Sequence, residues 1–156
     1  MAALGRELVR VHDALREELA ALRDVAASGD PLIGAGRPLA LHCARFCSAL
    51  IRHHTAEDDR AFPALAAHDP ALAPLIGKLE EDHRMIGGII GRIEAIAARM
   101  AAGDGRLLGE LDGLAAILDS HFAFEERRVA RALDALDGSA VVLLGIEPTF
   151  LNRAVD

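Results

Sequence analysis

Four histidines, His12, His53, His83 and His121, stand at helical spacing within apolar stripes, and they are the residues best placed in this chain to do chemistry. Two of them carry a glutamate one helical turn later: His53 with Glu57, and His121 with Glu125. Each residue of an α-helix advances by about 100°, so residues i and i+4 project from nearly the same side. Each His-x-x-x-Glu therefore offers one imidazole and one carboxylate to a single point. The interior of a folded chain disfavours unpaired polar groups, so several inward-facing ones call for a common partner. Two first-row metal ions bridged by the glutamates would satisfy the whole set. One histidine alone on an apolar stripe reads more readily as a satisfied core residue. Four of them, with two glutamate partners, reverse that weighting if the helices bring them to one height.

The elements that must do so are legible from periodicity. The first predicted helix covers about 4–27, with the stripe Leu4, Leu8, His12, Leu15, Leu19 and Leu22. Ser28-Gly29-Asp30-Pro31 stops it, and a loop reaches Gly36. The second opens with Pro38 in its first turn and carries Leu39, Phe46, Leu50, His53 and Glu57. Phe62-Pro63 is expected to bend or end it. After a turn at His68-Asp69-Pro70, either Pro70 or Pro74 starts the third helix. Its stripe is Leu72, Ile76, Leu79, His83, Ile86, Ile90, Ile93, Ala97 and Met100. Gly103-Asp104-Gly105 closes it and offers Asp104 as N-cap to the fourth. That helix reads Leu107, Leu111, Leu114, Leu118, His121, Glu125, Val129, Ala132 and Leu136, up to Gly138. Short loops between long helices predict an all-α, antiparallel up-down-up-down four-helix bundle over about 4–137, with a packing segment over 138–156, the whole chain forming one domain.

The heights agree. His12 lies roughly 23 Å before the end of its helix and His53 roughly 24 Å into the next; His83 and His121 stand roughly 30 and 24 Å from the turn that joins theirs. Within a helical turn, the four histidines share one level.

Imidazole with carboxylate and without thiolate suits Fe, Mn or Zn, and two carboxylates able to bridge suit a dinuclear site. Structural zinc more often recruits cysteine. Cys43 and Cys47 lie roughly 15 and 9 Å along the helix from His53, too far to bind. One turn apart on one helix, they are also badly placed for a disulfide, and they read as small, buried, reduced residues. Glu57 and Glu125 share the apolar arc, whereas Asp58, Asp59 and Glu126 are assigned to solvent. His54, about 100° around the helix from His53, sits at the edge of the stripe; it is either a ligand or a supporting or exposed residue. His42 is roughly 16 Å from His53 and not a ligand. His68, in a proline-flanked turn, is expected to be exposed.

Composition bounds the function. The chain has 156 residues, a net charge of −7 and 52% apolar content, which argues against a nucleic-acid or anionic-membrane partner. No apolar run approaches the roughly 18 residues of a membrane span, and the first residues lack a signal-peptide core, so a cytoplasmic location is expected. No Tyr or Trp is present to carry a radical outward to a large organic substrate. The apolar tail, 140–146, is expected to pack over one end of the bundle or to join two chains, leaving monomer or homodimer open. Gly77, Gly87, Gly88 and Gly91 in the third helix suggest close helix packing or a small channel beside His83.

These residues resemble the hemerythrin-like family, the HHE cation-binding domains. The resemblance is carried by His12-Asp13, by His53-His54-Thr55-Ala56-Glu57-Asp58 followed by Phe62-Pro63, by Leu79-Glu80-Glu81-Asp82-His83, and by His121-Phe122-Ala123-Phe124-Glu125-Glu126. It covers residues 8 to about 136. It implies a four-helix bundle holding two Fe ions, an oxo- or hydroxo-bridged non-heme di-iron centre, with His12, His53, Glu57, His83, His121 and Glu125, and His54 if it binds, as ligands. The implied ligand is a diatomic molecule or peroxide. The implied role is reaction with peroxide, NO or O2 in oxidative or nitrosative stress defence, or else non-enzymatic sensing or carriage of O2, NO or iron. Two departures stand out. The oxygen carriers of the family have a further histidine one turn after the third-helix histidine, where this chain has Gly87. They also have an aspartate five residues after the last histidine, where this chain has Glu125 four after. The missing imidazole opens one iron or leaves it for His54, which weighs against reversible O2 carriage and towards redox chemistry on small oxidants.

Overall fold

A computed structural model of the chain describes residues 3–28, 32–33, 37–99 and 105–146. Helix α1 spans Leu4–Ser28, α2 Leu39–Ala56, α3 Phe62–His68, α4 Ala73–Arg99, α5 Gly105–Leu133 and α6 Ala140–Leu144. A π-helical turn, Glu57–Ala61, joins α2 to α3, and a 3₁₀ turn, Pro70–Leu72, leads into α4. The one departure from helix among these elements is a two-residue antiparallel ladder between β1 (Leu32–Ile33) and β2 (Arg37–Pro38), with Leu32 opposite Pro38. The expected stop at Gly29-Asp30-Pro31, the loop end at Gly36, Met100, the Gly103-Asp104 closure and the tail beyond Ile146 lie outside the described residues.

The apolar stripes face one another as their spacing requires. Leu8, Leu15 and Leu22 of α1 are wholly buried, each stabilising the fold by about 1.5–3 kcal/mol relative to exposure. The long helices pack in a ring: α1 against α5 and α2, and α4 against α5 and α2. Paired residues run in opposite senses. Near one end the Gly5 N–H donates to Asp134 (2.9 Å), and further along α1 Arg23 meets Asp112 (2.9 Å). Between α4 and α5, Asp82 reaches His121 and Arg92 reaches Glu110. Gly5 lets α1 and α5 approach closely, since a Cβ there would stand 2.2 Å from the Ala130 carbonyl oxygen.

Two expectations need correction, those for the end of the fourth helix and for the glycines of α4, and one that stood open is narrowed. Phe62-Pro63 does not end the second helix, which continues to His68 through the π turn. Proline lacks the N–H for the usual i→i−4 bond, and its ring crowds the carbonyl of residue i−4, here Asp59. The turn just before it widens, so that the Phe62 N–H bonds back to the Glu57 carbonyl. The fourth helix stops at Leu133 rather than Gly138. The glycines of α4 neither pack closely nor line a channel: Gly77, Gly87, Gly88 and Gly91 are exposed, and a Cβ on any of them would meet nothing within 4 Å. Pro70 opens the 3₁₀ turn and Pro74 lies in the first turn of α4, so each proline marks a start. The segment 140–146 folds back on its own chain, with α6 against α1, α2 and the π turn. Among the described residues, no helix is long and apolar enough to cross a membrane.

Candidate metal centre

Each long helix delivers its polar residues from within its apolar stripe. His12 comes from α1, His53 and His54 from the last turn of α2, Glu57 from the start of the π turn, His83 from α4, and His121 and Glu125 from α5. All seven are buried, His12, His53 and Glu125 completely. They fall into two groups, His12, His53, Glu57 and Glu125 in one and His54, His83 and His121 in the other, and within each group the potential donor atoms lie within 4.8 Å of one another.

The carboxylates tie the groups together. Glu57 places Oε1 3.4 Å from His53 Nε2 and Oε2 3.4 Å from His83 Nε2. Glu125 places Oε1 3.4 Å from His12 Nε2 and Oε2 3.3 Å from His121 Nε2. Each glutamate therefore spans both groups with one oxygen apiece. His54, left open from sequence, is buried here: its ring stacks on that of His83 at 3.8 Å and meets His121 edge-on at 5.3 Å.

Four of the imidazoles are oriented from behind. The Nδ1 of His12 contacts Glu126 at 2.8 Å, that of His83 contacts Asp58 at 2.7 Å, and that of His121 contacts Asp82 at 3.3 Å. His53 Nδ1 contacts the Leu144 carbonyl oxygen at 2.8 Å. Ionised carboxylates and carbonyls only accept, so Nδ1 carries the proton and donates, which leaves Nε2 with a free lone pair. The four Nε2 atoms point inward. His12 Nε2 and His53 Nε2 stand 3.2 Å apart, and two lone pairs at that distance repel unless a proton or a cation lies between them. His54 Nε2, His83 Nε2, His121 Nε2, Glu57 Oε2 and both Glu125 oxygens are buried without a hydrogen-bond partner. Buried polar atoms seldom stay unpaired, and here the orphans converge. The residues present thus fit two cations sharing two carboxylates.

Electrostatics agree. Burial would lift Glu125, yet its contacts with His12 and His121 hold the carboxyl well below its usual range. Burial, followed by the charge of Glu125, pushes Glu57 well above its own. Burial pulls His53 down to about 3 and also depresses His54. For His12 burial acts downward, but Glu125 and Glu126 outweigh it and raise the pKa. The pocket thus disfavours protons on His53 and His54, whose neutral imidazoles are the form a metal takes.

Two assignments to solvent are overturned. Asp58 and Glu126 are only partly exposed, and each holds a histidine of a neighbouring helix, while Asp59 is exposed as expected. Asp82 and the Leu144 carbonyl were not singled out from sequence. A signal existed for the three acids. Each is the immediate neighbour of a central residue, as in Glu57-Asp58, Glu125-Glu126 and Asp82-His83, and about 100° of rotation turns it toward the adjoining helix. A main-chain carbonyl leaves no such mark. His42 binds Glu18 instead, and His68 is exposed. Cys43 and Cys47 are free and buried; burial pushes the first thiol up to about 11, and burial with Glu94 pushes the second up to about 12.

A helical bundle that turns this set of imidazoles and carboxylates inward is a cation-binding protein. The hemerythrin HHE cation-binding domain model matches residues 4–133, and the chain belongs to that family. Comparison with curated proteins and with solved structures found no match.

Proposed function

We propose that this chain is a single hemerythrin-like domain over 1–156, an antiparallel up-down-up-down four-helix bundle over about 4–137, holding two iron ions. His12 and His53 would hold one ion and His54, His83 and His121 the other, with Glu57 and Glu125 offering one oxygen to each. The observation that carries this is the four-point span of the two carboxylates, each with one oxygen on either histidine group. Iron in such oxygen and nitrogen donors supplies exchange between two oxidation states and a coordination position for a small ligand. The donor count is uneven, four protein groups on the His12 side and five on the His54 side, so an ion on the His12 side would have the position free for a ligand. Phe122 stacks on His12 at 3.9 Å and Phe62 lies against His83 at 5.6 Å, apolar walls that suit a small ligand such as a diatomic molecule or peroxide. The role we assign is reaction with peroxide, NO or O2 in stress defence in the cytoplasm.

A second reading, non-enzymatic binding of O2, NO or iron, is favoured by His54. It stacks against His83 and so supplies the imidazole that Gly87 withholds. The histidine count of the carriers is then restored by a different helix. Iron-loaded protein decides between the two. Peroxide or NO consumed over many turnovers supports the enzyme; a reversible adduct without turnover supports the binder. One zinc per chain, with no iron taken up by reduced metal-free protein, would sink the di-iron assignment.

A further inference from the structure

The acceptor that orients His53 comes from a part of the chain beyond the family match, which ends at residue 133. Helix α6 has Leu143 and Leu144 buried, and Ile146 follows at 3% exposure. Gly145 caps it at φ +81°, with its N–H on the Val141 carbonyl (3.0 Å). The last carbonyls of a helix have no partner within it, and that of Leu144 meets His53 Nδ1 at 2.8 Å. The contact is held at close quarters. A Cβ on Gly145 would stand 2.3 Å from the Arg52 carbonyl oxygen and 3.0 Å from the Ala56 Cβ. Both the positive φ and the absent side chain are therefore required for α6 to lie on α2 beside His53.

We propose that α6 with Gly145 is a positioning strap for one metal alone: the Leu144 carbonyl fixes the His53 ring so that Nε2 faces His12, Glu57 and Glu125. This rests on the two-metal reading above. The other three oriented imidazoles are held by carboxylates of the matched segment, Glu126, Asp58 and Asp82. The strap touches α1, α2 and the π turn, and no contact between α6 and α4 or α5 is of comparable extent. Its loss should therefore fall on the position shared by His12 and His53. Groups that orient a metal-binding histidine typically contribute 10–100-fold in metal affinity.

The test uses the full chain and anaerobic Fe(II) titration of metal-free protein. A His54→Ala background in which His83 is also replaced by alanine leaves that side three donors and isolates the His12/His53 position; His12→Ala, which leaves three on its own side, isolates the other. Gly145→Ala, which thrusts a side chain against Arg52, should weaken Fe(II) binding about 10–100-fold in the His54→Ala/His83→Ala background. In the His12→Ala background it should change binding less than about threefold. Leu144→Ala keeps the carbonyl and loosens the strap through lost packing, so it should repeat the pattern should Gly145→Ala fail to fold. In the otherwise wild-type chain, the Mössbauer doublet of one iron should shift and the other stay. Equal weakening in both backgrounds, or none in the His54→Ala/His83→Ala background, overturns the strap. Wild-type protein that binds only one iron overturns the two-metal reading itself, a separate outcome.

Discussion

Glu57 and Glu125 each reach both histidine groups, so each carboxylate should matter to two ions at once. Glu57→Ala or Glu125→Ala should release both metals, whereas His12→Ala should release mainly one; metal content after gel filtration checks this. Unchanged stoichiometry in a glutamate variant would mean that the bridges are misassigned. Asp58 and Glu126 act through the ring they hold. Asp58→Asn and Glu126→Gln should each lower metal affinity about 10–100-fold with the fold intact, and wild-type affinity in both would return those acids to solvent duty. The cysteines lie outside this chemistry. With thiol pKa values of about 11 and 12, Cys43 and Cys47 should resist iodoacetamide at pH 8 in the native chain and react once unfolded, because the thiolate is the nucleophile.

At the level of the helix, α4 departs furthest from its expected design. Gly87 and Gly88 sit in its interior, exposed and with open space where a Cβ would go. Gly87→Ala and Gly88→Ala should each stabilise the chain by about 0.5–1 kcal/mol by removing the entropy cost of glycine. Denaturant midpoints measure this, and a loss of stability would mean that the exposed face is covered in solution. Gly87→His tests the centre as well. The Cβ at residue 87 would face open space, and His54 already stacks on His83, so the added imidazole should leave metal content and absorption at wild-type values. A new ligand band would show that residue 87 reaches the centre and that a coordination position on the His83 side is open. Gly5 is the opposite case: Gly5→Ala would drive a Cβ into the Ala130 carbonyl at 2.2 Å and should destabilise the α1–α5 contact.

For the whole molecule, the centre is also a structural staple. Without cations, the buried imidazoles and carboxylates face one another with several atoms unpaired, and four helices meet on a polar layer that resists closure. Anything that binds the folded state alone stabilises it by about 2.7 kcal/mol at a hundred times its dissociation constant. For a chain of this length that is roughly 5–10 °C of melting temperature per ion. Chelation should therefore lower the thermal midpoint, and Fe(II) should restore it. Equal midpoints with and without metal would mean that metal-free protein satisfies the layer in another way.

The sequence by itself determined the helices, most of the stripe each buries, and six of the seven side chains that the fold gathers at the candidate centre. Period and height are local quantities, and the His-x-x-x-Glu spacing converts directly to a shared face. It did not determine the fate of His54, which lies at a stripe edge where burial depends on the neighbouring helix. Nor did it separate Asp58 and Glu126 from solvent, because an acid turned toward an adjoining helix has the same local pattern as one turned toward water. The π turn was hidden too: Pro63 announces a disruption, and only the packing of Phe62 and Leu65 into the core carries the helix through it. The Leu144 carbonyl belongs wholly to tertiary structure. Every residue has a carbonyl, and which one meets a histidine is decided when a distant segment docks.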